Sequence, residues 1–483
     1  MSKRAIVIGA GLTGMTVAIQ LARKDFKVEI FEKNEGPGGR IRNIFIEGFT
    51  FNPGPNLISY PEIVNTQLAE FRKFHKNSFT LEKLDPTFRI YAGESETFDL
   101  RSESNYLNNF FSRYDKKGKQ KLTEYLNRAK IWYNHLEDSV VRMQEFKENR
   151  GLKKLFTEDH ESYIRSLFTD YHLLSLLEFP VSYNGLLPEA SSMLHFAGNY
   201  SCLTQGLYFP MQGMTGLTDY LLEVLGNLNV NINYSSPVDS FDIIDNKVAG
   251  IITNGKDFHA DYFIAATDYH HAEHLVPAEY RNFPEKQWEK AGRTHTNLLF
   301  CIGIDKKLSR LAANSVYFDN PAGIRIGKSS RYSDKLGIRA VYIFCPSKLR
   351  NCAPQGMETL ILRVIIAPGI EDSGKIRELF LEKAINILEL ISGEDIHDHI
   401  LVKKTLAQTD FSVDFNTYRG KVFGFLNDIY PYGFKRLPLR NKHLVNIFYA
   451  ENAFFTGYGI PSALITGKCI ADEIFSDHMK YHQ

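Results

Sequence analysis

Cysteine is scarce in this chain. Its 483 residues hold five, Cys202, Cys301, Cys345, Cys352 and Cys469, an odd number, scattered, and with no CxxC pair among them. Neither a disulfide framework nor a cysteine-built zinc site is expected, and a reducing cytosol fits. An excess of charge of one sign is also lacking. Lys+Arg 57 against Asp+Glu 56 leaves a formal net charge of +1, without the electrostatic footprint of a nucleic-acid binder. No uninterrupted apolar run approaches the roughly 18 residues of a spanning helix, so any membrane contact is expected to be peripheral. The start, MSKRAIVIGAGLTG, lacks the apolar stretch and small-residue cleavage site of a signal peptide. Internal repeats and low-complexity tracts are missing as well.

What is present is an ordinary globular composition, 43% hydrophobic and 23% charged, which excludes disorder. At roughly 100–200 residues per domain the length allows about two to four structural units and an enclosed site. Trp is rare, with 2 residues, but Tyr 25 and Phe 35 make a heavy ring load that serves either core packing or an apolar substrate channel.

The amino end carries the first chemistry. Ala5-Ile6-Val7-Ile8 reads as a buried parallel strand, and Gly9-Ala10-Gly11-Leu12-Thr13-Gly14 follows at once. In a GxGxxG turn so placed, Gly9 allows the tight bend, Gly11 lets a pyrophosphate approach the backbone, and Gly14 lets the next helix pack close. That helix, Met15 to Lys24, would aim its positive end at the phosphates. A second strand, Lys27 to Phe31, ends at Glu32, about 20 residues on, where a carboxylate accepts from ribose hydroxyls and repels a 2′-phosphate. This much leaves NAD and FAD both open. Beyond Glu32 lie Gly38, Gly39 and Arg40, a loop that brings amides and a cation near the pyrophosphate.

GAGLTG, FEKNEGPGGRI and Gly48 to Pro55 together resemble the amino end of the FAD-dependent carotenoid (phytoene) desaturases of bacterial and fungal type, within the wider flavin amine oxidase-like group. The likeness continues in order through Leu84 to Tyr91, Leu177 to Val181, Tyr208 to Met214, Asp410-Phe411 and the turn Gly457-Tyr458-Gly459-Ile460-Pro461, so it covers nearly the whole chain. It implies an α/β fold: a discontinuous Rossmann-like FAD-binding domain with an inserted α+β substrate domain. The implied division is FAD-binding at 1–75, 205–290 and 431–483, a helical substrate- or membrane-facing insert at 76–204, and strands and helices of the substrate domain at 291–430.

The resemblance further implies that Gly54, Pro55, Asn56, Leu57, Val238, Glu451, Gly459, Ile460 and Pro461 join the amino-terminal glycines around FAD. Val238 would meet the adenine through its backbone. A helix starting near Pro461 would present amides and positive dipole to the flavin, favouring hydride uptake. Two departures stand out. Asn52 replaces a usual aspartate, and Glu451, Phe455 and Thr456 replace a glycine and a His-Pro pair, which leaves substrate and reaction more open than cofactor.

The expected activity is desaturation of a long apolar polyene in carotenoid biosynthesis, by hydride transfer to flavin. Only one nucleotide fingerprint occurs, which points to oxygen or a quinone as the electron acceptor. No catalytic side chain is assigned; Asp268, Glu451 and Arg89 are polar candidates that equally suit cofactor or structural roles. His270-His271 with His443 and His259 offer no metal spacing. A lipid-dissolved substrate implies a cytoplasmic protein attached reversibly to the membrane surface, with Ile131, Trp132 and Tyr133 as contacts unless they form helix core. The alternatives are a carotenoid or retinoid saturase or isomerase, a non-catalytic flavin or carotenoid binder, and an amine oxidase.

Overall fold

The computed structural model describes residues 3–75, 79–94, 96–141, 159–183, 192–290, 296–319, 336–338, 340–366, 370–420, 437–450 and 459–480. Two sheets organise the chain. The first is parallel and five-stranded, in the order Ile447–Tyr449, Tyr262–Ala265, Arg4–Ile8, Lys27–Phe31, Asn231–Asn233. Its strands come from three separated stretches of sequence, so both ends of the chain meet in one sheet.

Alternate residues of the opening strand serve opposite faces, as the period of two in a strand requires. Ala5 and Val7 pack beneath the first helix, Leu12–Ala22, and the C-terminal helix, Ile460–Lys480, in a core that includes Met15, Val17, Leu464 and Ile465. Ile6 and Ile8 face a separate core with Val238, Phe241, Val248 and Ile251 of an antiparallel meander, Val238–Ile244, Lys247–Thr253 and Lys256–His259. Such a strand is covered on both sides, which is why it reads as a continuous apolar run. The two helices lie in close contact: a Cβ on Gly467 would stand 2.6 Å from Thr16 Cβ.

The second sheet has seven strands in the order Ile400–Leu406, Thr296–Ile304, Glu358–Ile366, Ala340–Phe344, Asn314–Phe318, Phe88–Ala92, Glu96–Leu100. Every pairing is antiparallel except that of Phe88–Ala92 with Asn314–Phe318. One face takes the helix Gly374–Ser392 through Phe380, Leu381, Ala384, Ile385 and Leu388. Ser373 caps the start of that helix and Gly393, at φ 69°, ends it. The opposite face, with Leu299, Tyr342, Phe344 and Ile361, turns toward the nucleotide sheet.

The stretch 76–204, expected to be helical, opens with strands: Leu81–Lys83 pairs with Tyr208–Pro210, and residues 88–100 supply the last two strands of the large sheet, Glu96–Leu100 forming its edge. The expected helices follow as Ser104–Tyr114, Gly118–Val141, His160–Leu167, Tyr171–Tyr183 and Ser192–Tyr200. Phe179 joins them to the sheet, its ring 4.6 Å from Phe88 and 5.4 Å from Phe318, centroid to centroid. Trp132 and Tyr133 are buried at 0% and 2% exposure, stacked on Phe196 and Tyr60, so they are helix core rather than membrane contacts. Ile131 alone of that trio is exposed. No helix of the described residues is long and apolar enough to cross a membrane. All five cysteines are buried and unbridged.

Candidate dinucleotide site and apolar cavity

The glycine turn is built as its spacing demands. Gly9 sits at φ +105° and donates its N–H to Phe31 O at 2.7 Å, closing the turn on the second strand. A Cβ on Gly14 would lie 2.0 Å from Gly9 O, so only glycine lets the helix press this close to the turn. At Gly11 a Cβ would meet nothing within 4 Å among the described residues, and the residue lines a cavity. Gly11 caps the first helix with no side-chain acceptor, and the first turn carries no acidic residue. Such amides, with the helix dipole behind them, favour an anion.

The second glycine pair folds onto the first. Gly38 N donates to Ala10 O at 2.9 Å, Gly38 bridges to Gly11, and a Cβ on Gly39 would come within 3.2 Å of Gly11 Cα. Glu32 is 5% exposed. Its Oε2 accepts from Ala10 N at 2.7 Å, and its Oε1 from Asn34 N and Nδ2 at 2.9 and 2.8 Å. A carboxylate offers about four acceptor sites, so room for about one more donor remains on the cavity side.

Gly9, Gly11, Glu32, Gly38, Gly39, Arg40, Gly54, Pro55, Asn56, Leu57, Val238, Gly459, Ile460 and Pro461 all line this one cavity, of about 750 Å³. Gly14 stands behind it, in the packing role expected. Glu451, like Phe455 and Thr456, lies outside the described residues. Ser236 N donates to Glu32 O at 2.8 Å, which draws the segment of Val238 against the acid. Ala450 N donates to Ala265 O at 2.9 Å, and Gly459, at φ +119°, leads into the C-terminal helix.

The same cavity continues to an apolar wall of Leu299, Tyr342, Phe344, Ile361, Leu406 and Phe411. Arg363 lies there with its guanidinium 4.3 Å from the Tyr342 ring centre. The helix Gln408–Phe415 also borders the cavity, its Asp410 accepting from Ala407 N at 2.9 Å and pairing with Arg377. Lys33 Nζ reaches Val413 O at 2.8 Å and Asn416 Oδ1 at 2.7 Å, and Arg42 pairs with Asp414, so two cations beside the glycine loop tie it to this helix. Sequence reasoning gave no role to Lys33, though it stands within FEKNEGPGGRI, nor to Arg42, Arg363 and Asn297, which lie outside the motifs.

Among the polar candidates, Asp268 lines the cavity and Arg89 does not. Arg89 forms a two-pronged pair with Asp99, at 2.7 and 3.0 Å, and donates to Arg310 O, a structural role in the large sheet. Asp268 caps the helix Tyr269–His274, accepting from His271 N at 3.3 Å, and burial pushes its carboxyl up to about 6. Burial, with Lys33 second, brings the His271 imidazole down to about 4, so it is neutral at neutral pH.

The residues present fit a flavin dinucleotide. Asn56 Oδ1 and Asn297 Oδ1 are buried acceptors without a hydrogen bond among the described residues, both on cavity-lining residues, and a bound group rich in hydroxyls and ring N–H would satisfy them. The open Cβ space at Gly11 and the uncapped helix amides suit the pyrophosphate.

Comparison with known proteins agrees. The family model described as flavin containing amine oxidoreductase matches residues 12–475. The carotenoid 3,4-desaturase of Haloarcula japonica is 24% identical over 492 residues, covering 98% of each chain. The zeta-carotene-forming phytoene desaturase of Myxococcus xanthus is 22% identical over 497 residues, 98% of this chain and 94% of that one. An oxidoreductase structure from Methanosarcina mazei superposes with a TM-score of 0.65 at 17% identity, covering 97% of this chain and 100% of that one. With its family model spanning most of its length and its dinucleotide turn intact, the chain belongs to the flavin containing amine oxidoreductase family and is an FAD-dependent oxidoreductase.

Proposed function

We propose that this enzyme desaturates a long apolar polyene, an early or later carotenoid intermediate. The observation that carries the reading is the continuity of one cavity from the glycine turns to the apolar face of the seven-stranded sheet. The names of the full-length desaturase relatives support it.

In this reading Gly9, Gly11, Gly38, Gly39 and Arg40 hold the pyrophosphate, with Gly14 allowing their approach. Glu32 takes a ribose hydroxyl, and Val238 borders the adenine. Gly54, Pro55, Asn56, Leu57, Gly459, Ile460 and Pro461 hold the rest, joined by Glu451. The stretches 1–75, 205–290 and 431–483 form the cofactor domain, 76–204 and 291–430 the substrate side. Flavin, when bound, supplies a hydride acceptor. The chain itself positions the polyene along Leu299, Tyr342, Phe344 and Leu406 and keeps water from it. An extended π-system acidifies the departing proton, so a strong base is not required of the protein. Oxygen or a quinone would serve as the electron acceptor in this reading.

A substrate dissolved in lipid calls for attachment to the membrane surface. Phe45 and Val413 are 75% and 69% exposed, next to the cavity-lining residues Ile44 and Asp414, on segments that the Arg42–Asp414 pair joins. Cosedimentation with liposomes, lost in Phe45→Ser with Val413→Ser, checks this attachment. For the activity, coexpression in hosts that accumulate polyene precursors is the test. Products absorbing at longer wavelength are expected. An unchanged carotenoid profile with every precursor would overturn the proposal, shortened conjugation would indicate a saturase, and altered geometry alone an isomerase.

A further inference from the structure

His270 and His274 stand four residues apart on the short helix Tyr269–His274, and Glu285 opens the next helix, Glu285–Lys290. The fold aims all three at one point. His270 Nε2 lies 3.3 Å from Glu285 Oε1, and His274 Nε2 lies 3.0 Å from Glu285 Oε2. One ligand atom from each falls within 4.8 Å of the others. A tetrahedral zinc ion with bonds of about 2.0–2.1 Å separates its ligand atoms by about 3.3–3.4 Å, near the two histidine–carboxylate distances and inside the 4.8 Å that bounds the whole set.

The hydrogen-bond roles sharpen the case. His274 Nδ1 is 2.7 Å from His270 O, an acceptor only, so Nδ1 carries the proton and donates it. In the neutral imidazole Nε2 then presents a lone pair, and it faces a carboxylate oxygen, which presents lone pairs too. Two acceptors at 3.0 Å require a cation between them, a second proton or a metal ion. A ligating histidine whose other nitrogen donates to a backbone carbonyl is the arrangement that metal sites use to fix tautomer and ring orientation. The His270 ring is held as well, 4.0 Å from Tyr418 and edge-on to buried Trp288 at 5.3 Å, centroid to centroid.

We infer that His270, His274 and Glu285 bind a divalent cation that prefers imidazole ligands, zinc foremost, with the remaining position open to water. Two nitrogens and one carboxylate do not suit magnesium or calcium, which take oxygen shells. The ion would clamp the helix Tyr269–His274 to the helix Glu285–Lys290. Asp268, which caps the first of these, and His274 itself line the cavity, so the clamp would stiffen that wall.

The test uses the full-length holoprotein, stripped with a chelator and titrated calorimetrically with Zn²⁺, Co²⁺ and Mg²⁺. One equivalent of Zn²⁺ is expected, with Co²⁺ giving the absorption of a low-symmetry site and Mg²⁺ giving no uptake. Glu285→Gln should weaken zinc binding at least about tenfold, and His274→Asn should abolish it. His259→Ala and His443→Ala should leave it unchanged. Zinc should raise the thermal midpoint of the wild type and not that of His274→Asn. Absence of stoichiometric uptake by the wild type, or uptake undiminished in both site variants while they retain flavin, would overturn the inference.

Discussion

Two glycines three residues apart should respond in opposite ways to the same added methyl group. At Gly11 the backbone is extended, with φ −73°, and a Cβ would meet no atom of the described residues within 4 Å. Gly11→Ala should therefore fold normally, with stability changed by no more than about 0.5 kcal/mol. The methyl would fill the space proposed for the pyrophosphate. Crowding of that kind costs about 1–3 kcal/mol, so FAD should bind about 5- to 150-fold more weakly. At Gly14 the Cβ would stand 2.0 Å from Gly9 O and 3.1 Å from Ala266 Cβ, and backbone must move to admit it. Gly14→Ala should lose about 1–3 kcal/mol of folding stability whether flavin is present or not. Denaturant unfolding of the flavin-stripped proteins and FAD titration of each separate the two effects. Wild-type FAD affinity in Gly11→Ala would refute the placement of the cofactor at this turn.

Glu32→Ala removes the acceptor from Ala10 N and Asn34 N, and should cost about 1–3 kcal/mol for each donor left buried, together with flavin retention, read from the denaturation midpoint and flavin content. Asp268 makes the pH dependence testable. Burial lifts its carboxyl from 3.8 to about 6, so the folded chain keeps a proton that the unfolded chain releases in that window. The stability this group contributes is complete below pH 3.8 and is lost as pH rises through 6. Asp268→Asn, which can still cap the helix, should flatten that part of the stability-against-pH curve, and an unchanged slope would count against burial as its cause. Trp132→Ala should cost about 3–5 kcal/mol, whereas Ile131→Ser should stay within about 0.5 kcal/mol, measured by the same unfolding curves.

The parts of the site that rest on local chain geometry were legible in the sequence. The bends at Gly9 and Gly38 need positive φ, and the close approach at Gly14 needs a missing Cβ, so residue type alone announces them. Gly459 to Pro461 came from family likeness, since a glycine turn before a helix has no direction until the last strand joins the first sheet. Pairings across long stretches of chain were not legible. Residues 89–92 join 315–318 across more than 200 residues that include helices and strands of both sheets, whereas Arg89 meets Asp99 within the local hairpin of residues 88–100. Trp132 carries an apolar ring whether it faces lipid or core, and only the position of Phe196 decides between them. The triad of His270, His274 and Glu285 had a readable half, the spacing of four along a helix. The adjacent His271 breaks that spacing by eye, and Glu285 arrives from the following α-helix.

In the proposed function flavin and polyene meet in one cavity, which anaerobic half-reaction spectroscopy tests most directly. Purified holoprotein would be mixed without oxygen with polyenes of increasing saturation, and separately with primary amines. A polyene is expected to bleach the flavin band while its own absorption moves to longer wavelength, with amines inert. Flavin that stays oxidised with every polyene, or that is bleached by an amine instead, would contradict it.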